Sequence, residues 1–190
     1  MLFRSGLDLG SLPQQRLQVY CPKTGWRRPG LARPVIVIGI DPGLSGAVAF
    51  YDTVEGTIEV ADMPVVELSR NGKNKREISA ALLSGILTRH KVEAAFLERV
   101  NAMTGQGVTS VFSFGRSSGI VEGILAAYDI PTTLVTPQAW QKAVGQRTGK
   151  DGSRERAMQL FPAQADLFSR KKDDGRSDAA LIAYYGAKTL

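Results

Sequence analysis

Sulphur and imidazole chemistry are almost absent from this sequence: one cysteine, Cys21, and one histidine, His90, stand among 190 residues. A single cysteine excludes an internal disulfide and a cysteine-based zinc site. A single histidine argues against a histidine-rich metal site or a Ser-His-Asp triad. Long apolar runs are missing too. The longest uncharged ones, residues 35–40 and 179–185, fall far short of the roughly 20 residues that span a bilayer. What is present is ordinary: 43% hydrophobic, 22% charged, 20 Gly and 9 Pro. That composition excludes disordered, collagen-like and disulfide-scaffold chains and suits one domain with a real core. Any metal chemistry falls to carboxylates.

The charge is unevenly placed. Of the formal net charge of +6, five units lie in residues 1–33, where Arg4, Arg16, Lys23, Arg27, Arg28 and Arg33 face only Asp8. The rest is one charge from neutral, so the high isoelectric point is weak evidence for a nucleic-acid partner. Residues 1–33 show no helical or strand period and read as a basic, disordered leader. They lack the apolar core of a secretory signal. An organelle transit peptide, weakened by Asp8 and the prolines, an upstream translation start and a flexible basic arm all stay open. Cys21 in this leader reads as an incidental thiol.

Residues 34–190 read as one folded domain. Residues 35–41 are almost wholly apolar and β-branched, a buried central strand ending at Asp41. Residues 47–51 and 57–63 add two strands across a turn at 52–56, making an antiparallel meander. Residues 69–75 are polar, and Asn71-Gly72 predicts a loop. A helix then runs to about residue 89 with Ile78, Ala81, Leu82, Gly85 and Ile86 on its buried stripe. Residues 92–97 form a fourth strand, ending at Glu98. After a glycine-containing loop at 102–107, a long helix spans about 108–128. Gly115, Gly119 and Gly123 line one of its faces, either against a neighbouring element or at a subunit interface. A fifth strand covers 131–135. Thr136 and Pro137 cap the next helix, a basic break covers 147–151, and another helix spans 153–160. Residues 163–176 are loop-like, and the last helix runs over 178–188. Three antiparallel strands followed by strand–helix alternation predict an α/β protein. It has a mixed five-stranded sheet with helices on both faces.

Three elements have an acid at their edge. Asp41 ends the first strand, Glu98 ends the fourth, and Asp178 opens the last helix with Asp174 four residues before it. Asp178 shares a helix face with Leu181, Ile182 and Tyr185, so it is expected to point at the sheet. If the first and fourth strands are neighbours, their carboxyl ends form the usual ligand edge of an open sheet. Each acid alone has an ordinary explanation as a turn, a surface ion pair or a helix N-terminus. Together they do not. Two carboxylates roughly 5 Å apart repel by about 3 kcal/mol at an effective dielectric near 20. Cations must offset that, and an all-oxygen set suits Mg²⁺ or Mn²⁺. Two such ions form a known arrangement for phosphodiester hydrolysis.

The motifs resemble a known family. Residues 38–46 (Ile-Gly-Ile-Asp-Pro-Gly-Leu-Ser-Gly), 96–98 (Phe-Leu-Glu) and 173–183 (Asp-Asp-Gly-Arg-Ser-Asp-Ala-Ala-Leu-Ile-Ala) resemble the RuvC family of Holliday junction resolvases. Their order, with residues 101–107 and 136–140, is most similar to its phage and organelle-type branch. The resemblance covers about 35–188. It implies an RNase H-like fold, a homodimer, and magnesium-dependent cleavage of two opposed strands of a four-way DNA junction. The implied ligands are two Mg²⁺ ions, with Mn²⁺ able to substitute, and the implied role is DNA recombination and repair. The implied setting is the cytoplasm of a bacterium or phage host. Asp41, Glu98 and Asp178 match the family's first, second and final acids. Bacterial members place an acid or His three residues before the final Asp, where this chain has Gly175. Asp174 is the candidate fourth catalytic and metal-binding residue, with Asp173 in reserve.

Candidate DNA contacts are Arg99, Gln106, Arg116, Lys142, Lys150, Lys172 and Arg176, with Arg147, Arg170 and Lys171 nearby. Positive charge beside a carboxylate centre suits a phosphate backbone, although each residue also reads as a solvated basic loop. Phe112, Phe114 and Trp140 read first as core, and one of the two phenylalanines is an alternative wedge at a junction centre. Three rivals remain. They are an RNase H-fold nuclease for other branched DNA or RNA, a non-catalytic junction-binding protein, and a sugar-kinase-like ATP site, for which 190 residues leave little room.

Overall fold

The computed structural model describes residues 19–21, 25–27, 35–70, 72–99, 105, 107–146, 149 and 151–190. Two units form, Met1–Arg33 and Pro34–Leu190, and each stands by itself here. In the first, β1 (Val19–Cys21) pairs antiparallel with β2 (Gly25–Arg27). The second unit carries β3 (Ile36–Asp41), β4 (Ala47–Asp52) and β5 (Ile58–Asp62) as an antiparallel meander. Then come β6 (Val65–Arg70), β7 (Lys73–Ile78), α1 (Ala80–Leu87), β8 (Val92–Glu98) and α2 (Val108–Ala127). The chain closes with β9 (Thr132–Val135), α3 (Pro137–Ala143), α4 (Gly152–Leu160), two short 3-10 turns, and α5 (Asp174–Thr189).

The main sheet has the order β5-β4-β3-β8-β9, and β3 is parallel to β8 and β8 to β9. This is the mixed five-stranded sheet expected from the sequence. Alternation along the central strands divides the core. Val37 and Phe96 join Trp140, Phe161, Leu181 and Ile182 on the face covered by α3, α4 and α5. Ile38, Ile40 and Leu97 join Leu83 and Leu125 on the face covered by α1 and α2. Side chains alternate strictly along a strand. So Asp41, two and four residues after Gly39 and Val37, faces α5. Glu98, two residues after Phe96, does the same.

Helix α5 lies unusually close to the sheet. A Cβ on Gly39 would collide with backbone atoms of Ala179 and Ala183, and one on Gly186 with the Phe96 ring. Small residues at these three levels let the helix settle onto β3 and β8, and that contact fixes the height of Asp178 above the strand ends.

Three expectations need correction. Residues 69–75 are not a loop. They lie in a β6–β7 hairpin paired from Val65↔Ile78 to Arg70↔Lys73, and Gly72 has a positive φ of 71° at the turn. Charged side chains on both strands hid the two-residue period there. The helix before β8 starts at Ala80, after Ser79 caps it by accepting from Leu82 N–H. It buries Leu83 and Leu87, while Leu82 is 55% exposed and Ile78 belongs to β7. A helix this short and this apolar offers no polar face to orient the pattern. Finally, α5 begins at Asp174 rather than Asp178, one full turn earlier. That extra turn puts Asp174 and Asp178 on one helix face.

Candidate active site

The parallel pairing of β3 with β8, in register at Ile40↔Leu97, sets the carboxyl ends of Asp41 and Glu98 beside each other. The Asp41 carboxylate accepts a 2.9 Å hydrogen bond from Gly43 N–H, and the turn closes with Gly46 N–H donating to the Gly43 carbonyl at 2.9 Å. Asp41 is pushed above the usual carboxylate range by burial, against the pull of that amide. Glu98 is half-buried and pushed up to about 7. Burial is the main cause, the charges of Asp41 and Asp178 add to it, and a hydrogen bond from Trp140 opposes it. Asp178 is pushed up to about 6, again mainly by burial, with Asp41 and Asp174 adding repulsion and a Ser153 hydrogen bond opposing. Glu98 thus senses Asp41 and Asp178, and Asp178 senses Asp41 and Asp174. The three half-buried acids are electrostatic neighbours at one sheet edge, carried there by three separate elements.

The other two aspartates part company. Asp173 is 1% exposed and accepts from the Arg170 guanidinium Nε and Nη2 and from Arg170 N–H. Arg170 holds its carboxyl below the usual range, so Asp173 is an anchor for the start of α5. Asp174 is exposed and forms a 2.9 Å ion pair with Nε of Arg154, itself only 8% exposed on α4. The backbone leaves no room for an acidic side chain at position 175. A Cβ on Gly175 would collide with the Ser45 carbonyl and Gly46, where the loop after Asp41 presses on α5. Position 174, by contrast, carries an exposed aspartate.

Three contributors escaped sequence reading. Trp140, fully buried as expected of a core residue, also donates from Nε1 to Glu98 Oε1 at 3.0 Å. Ser153 holds Asp178, and Arg154 holds Asp174. The partners are far apart in sequence, 42 residues for Trp140 and Glu98, so no local pattern could have paired them.

The basic residues divide as well. Arg99, Lys142 and Lys172 are exposed. Arg116 pairs with the buried Glu77 at 2.7 Å, and Arg176 pairs with both carboxylate oxygens of Asp62 at 2.5 and 2.6 Å. These two cations are committed within the fold. Gln106, Lys150 and Arg147 lie outside the described residues. Phe112, expected in the core, is instead 66% exposed near the start of α2. Phe114 lines a cleft of about 490 Å³ with Gly43, Leu44, Ser45, Ser110, Ser113 and Ser117. A Cβ on Gly115, Gly119 or Gly123 would meet nothing within 4 Å. The glycine stripe therefore packs against no described neighbour.

The donor chemistry fits a hard cation. Asp178 Oδ1 is buried and has no hydrogen-bond partner, and a desolvated carboxylate oxygen left alone is costly unless a cation meets it. The fit is of chemistry, not of a closed cage. Among the described residues no group of three or more His, Cys, Asp or Glu side chains is already gathered to hold an ion.

The titration has a consequence for stability. Glu98 and Asp178 keep their protons to higher pH in the folded protein than in the unfolded chain. Their folded state is therefore penalised as pH rises from about 4.5 towards 7. For Glu98 alone the loss is on the order of 3 kcal/mol. Without divalent cations the melting temperature is expected to fall between pH 5 and 8 in calorimetry, and Glu98→Gln is expected to flatten the profile.

The sheet order, the helices on both faces and the acid-lined strand ends define an RNase H-like α/β fold. Solved structures share this fold. The chain is similar to RuvC of T. thermophilus in complex with Holliday junction substrate, at 13% identity and TM-score 0.54, over 82% of this chain and 96% of that one. A second structure of Thermus thermophilus RuvC matches at 15% identity and TM-score 0.50 over the same shares. The yeast mitochondrial Holliday junction resolvase matches at 18% identity and TM-score 0.48, over 84% of this chain and 80% of that one. No family model matches the sequence, and no curated protein does. The likeness is one of fold. No helix among the described residues is long and apolar enough to cross a membrane.

Proposed function

We propose that this protein is a structure-specific endodeoxyribonuclease that resolves four-way DNA junctions by divalent-metal-dependent phosphodiester hydrolysis. One observation carries the reading. Asp41, Glu98 and Asp178 are delivered by β3, β8 and α5 to one sheet edge, where burial raises the proton affinity of all three and Asp41 adds repulsion to the other two, and Asp178 Oδ1 lacks a partner. The fold shared with RuvC supports it.

In this reading Asp41, Glu98 and Asp178 hold Mg²⁺ or Mn²⁺, and Asp174 is the fourth ligand. When bound, such ions lower the pKa of the attacking water and neutralise charge on the leaving oxygen. The protein's own groups set the stage. Trp140 fixes the Glu98 carboxylate through Oε1, Ser153 steadies Asp178, and Arg154 keeps Asp174 at the start of α5. Such supporting contacts orient the ligands of a metal site. Arg99, Lys142 and Lys172 remain exposed to meet phosphates, and Phe112 is exposed to stack on a base.

Two opposed strands require two sites related by symmetry, so the reading includes a homodimer. Its interface is the solvent-facing stripe of α2, Gly115, Gly119 and Gly123, where a second helix can approach closely. Gly119→Glu is expected to shift the protein from dimer to monomer in analytical ultracentrifugation while leaving its melting temperature within a few degrees. An unchanged dimer would place the interface elsewhere.

A cleavage panel tests the function. Full-length protein with Mg²⁺ is expected to nick a synthetic four-way junction at symmetric positions on opposed strands, and to spare flap, linear duplex and RNA–DNA hybrid. Preferential cutting of the hybrid or the flap would make it a different nuclease of the same fold. Binding without cutting at any divalent cation would make it a junction-binding protein.

A further inference from the structure

We propose that the β6–β7 hairpin is a cationic arm that grips the phosphate backbone of a DNA arm beside the carboxylate edge. The inference rests on the nuclease reading and adds a substrate contact to it. The hairpin pairs with no strand of the main sheet, so it does not serve the core as a sixth strand. Its root, however, is fastened at the site. β5 ends at Asp62, opposite Ala47, which itself lies opposite Asp41. The next residue, Met63, donates its N–H to the Gly46 carbonyl at 2.9 Å, and Ser79 N–H closes the base on the Pro64 carbonyl at 2.9 Å. Arg76 donates to the Leu44 carbonyl at 3.4 Å, within the turn that follows Asp41. Glu77 binds Arg116 of α2 at 2.7 Å. The arm therefore springs from the Asp41 turn and from α2, at the end of the sheet where the acids lie.

The register sorts its charges. Directly opposed residues share a face, so Val66, Glu77, Leu68 and Lys75 lie on one face and Glu67 with Arg76 on the other, and the ladder ends at the Arg70↔Lys73 pair. The acid on the first face, Glu77, is buried near the root and neutralised by Arg116 at 2.7 Å, while Lys75 stands 3.8 Å from it without a hydrogen bond. Beyond it the sequence puts Arg70, Lys73 and Lys75, and no acid, at the register positions in step with Glu77. From Glu77 to Lys73 the strand advances about 14 Å at 3.4 Å per residue, which matches about four phosphates at 3.4 Å of rise along one DNA strand. Cations on a narrow two-stranded ribbon, with no acid among them, suit a polyanion, and the neighbouring acids of the site place that polyanion as the strand being cut.

The test is the salt dependence of junction binding, measured on full-length protein with Ca²⁺ in place of Mg²⁺. The triple variant Arg70→Ala/Lys73→Ala/Lys75→Ala is expected to lower the slope of log affinity against log salt by two to three, about 0.9 per lost phosphate contact. Affinity is expected to fall at least tenfold at low salt. The charge-keeping variant Arg70→Lys/Lys73→Arg/Lys75→Arg is expected to retain the wild-type slope, which separates lost charge from a collapsed hairpin. If the triple variant keeps the wild-type slope and affinity, the arm is not a DNA contact and the nuclease reading stands. If wild-type protein does not bind four-way DNA at all, the nuclease reading falls and the arm with it.

Discussion

Asp41→Asn is expected to reduce junction cleavage by at least a thousandfold while leaving junction affinity within a few-fold of wild type. Asp41 is the acid nearest the sheet's centre, and burial is what raises its proton affinity. The substitution keeps its shape and the hydrogen bond from Gly43 but removes the charge that would draw a cation. Several kcal/mol of transition-state stabilisation depend on such a cation, and each 1.36 kcal/mol is tenfold in rate. The proposed phosphate contacts lie elsewhere, so binding is expected to persist. The check is single-turnover cleavage alongside a gel-shift titration in Ca²⁺. Cleavage at the wild-type rate would remove Asp41 from the mechanism.

Gly175→Asp is expected to disable the protein, although it restores an acid three residues before Asp178. The reason is steric. The space a Cβ would enter is held by the Ser45 carbonyl and Gly46, and neither is a flexible side-chain end. To fit the new residue, α5 must lift from the Asp41 turn, which separates Asp178 from Asp41 and Glu98. Overpacking of this kind costs about 1–3 kcal/mol, and desolvating another carboxylate adds to it. A melting temperature lowered by several degrees and loss of cleavage are the expected results. A variant as stable and active as wild type would show that the loop and helix are not in firm contact, and that the fourth acid need not sit at position 174.

How much of this was legible in the sequence follows from which interactions are local. β3, β4, β5, β8 and β9 were readable as apolar runs. The strand ends put Asp41 and Glu98 at one sheet edge, but that both face α5 is a matter of Val37, Gly39 and Phe96 packing under that helix, which only the structure shows. The β6–β7 hairpin was not readable. Its pairing joins lysine, arginine and glutamate rather than apolar residues, so the Asn71-Gly72 signal reads as a break although the strands on either side pair. The buried side of α1 was ambiguous because almost every residue there is apolar. Phe112 was assigned to the core on residue type alone, and only the helix orientation reveals its exposure. Sequence prefers Asp174 to Asp173 without showing what each one binds. The structure separates them through Arg170 and Arg154, which lie on different elements. The role of Trp140 likewise appears only when α3 is set against the end of β8.

Anomalous diffraction from crystals of the full-length protein grown with Mn²⁺ tests the central claim most directly. A manganese peak bounded by Asp41, Glu98 and Asp178 is predicted, lost in Asp41→Asn crystals. Crystals showing these carboxylates ordered and free of manganese at saturating concentration, or manganese bound only at other positions, would contradict it.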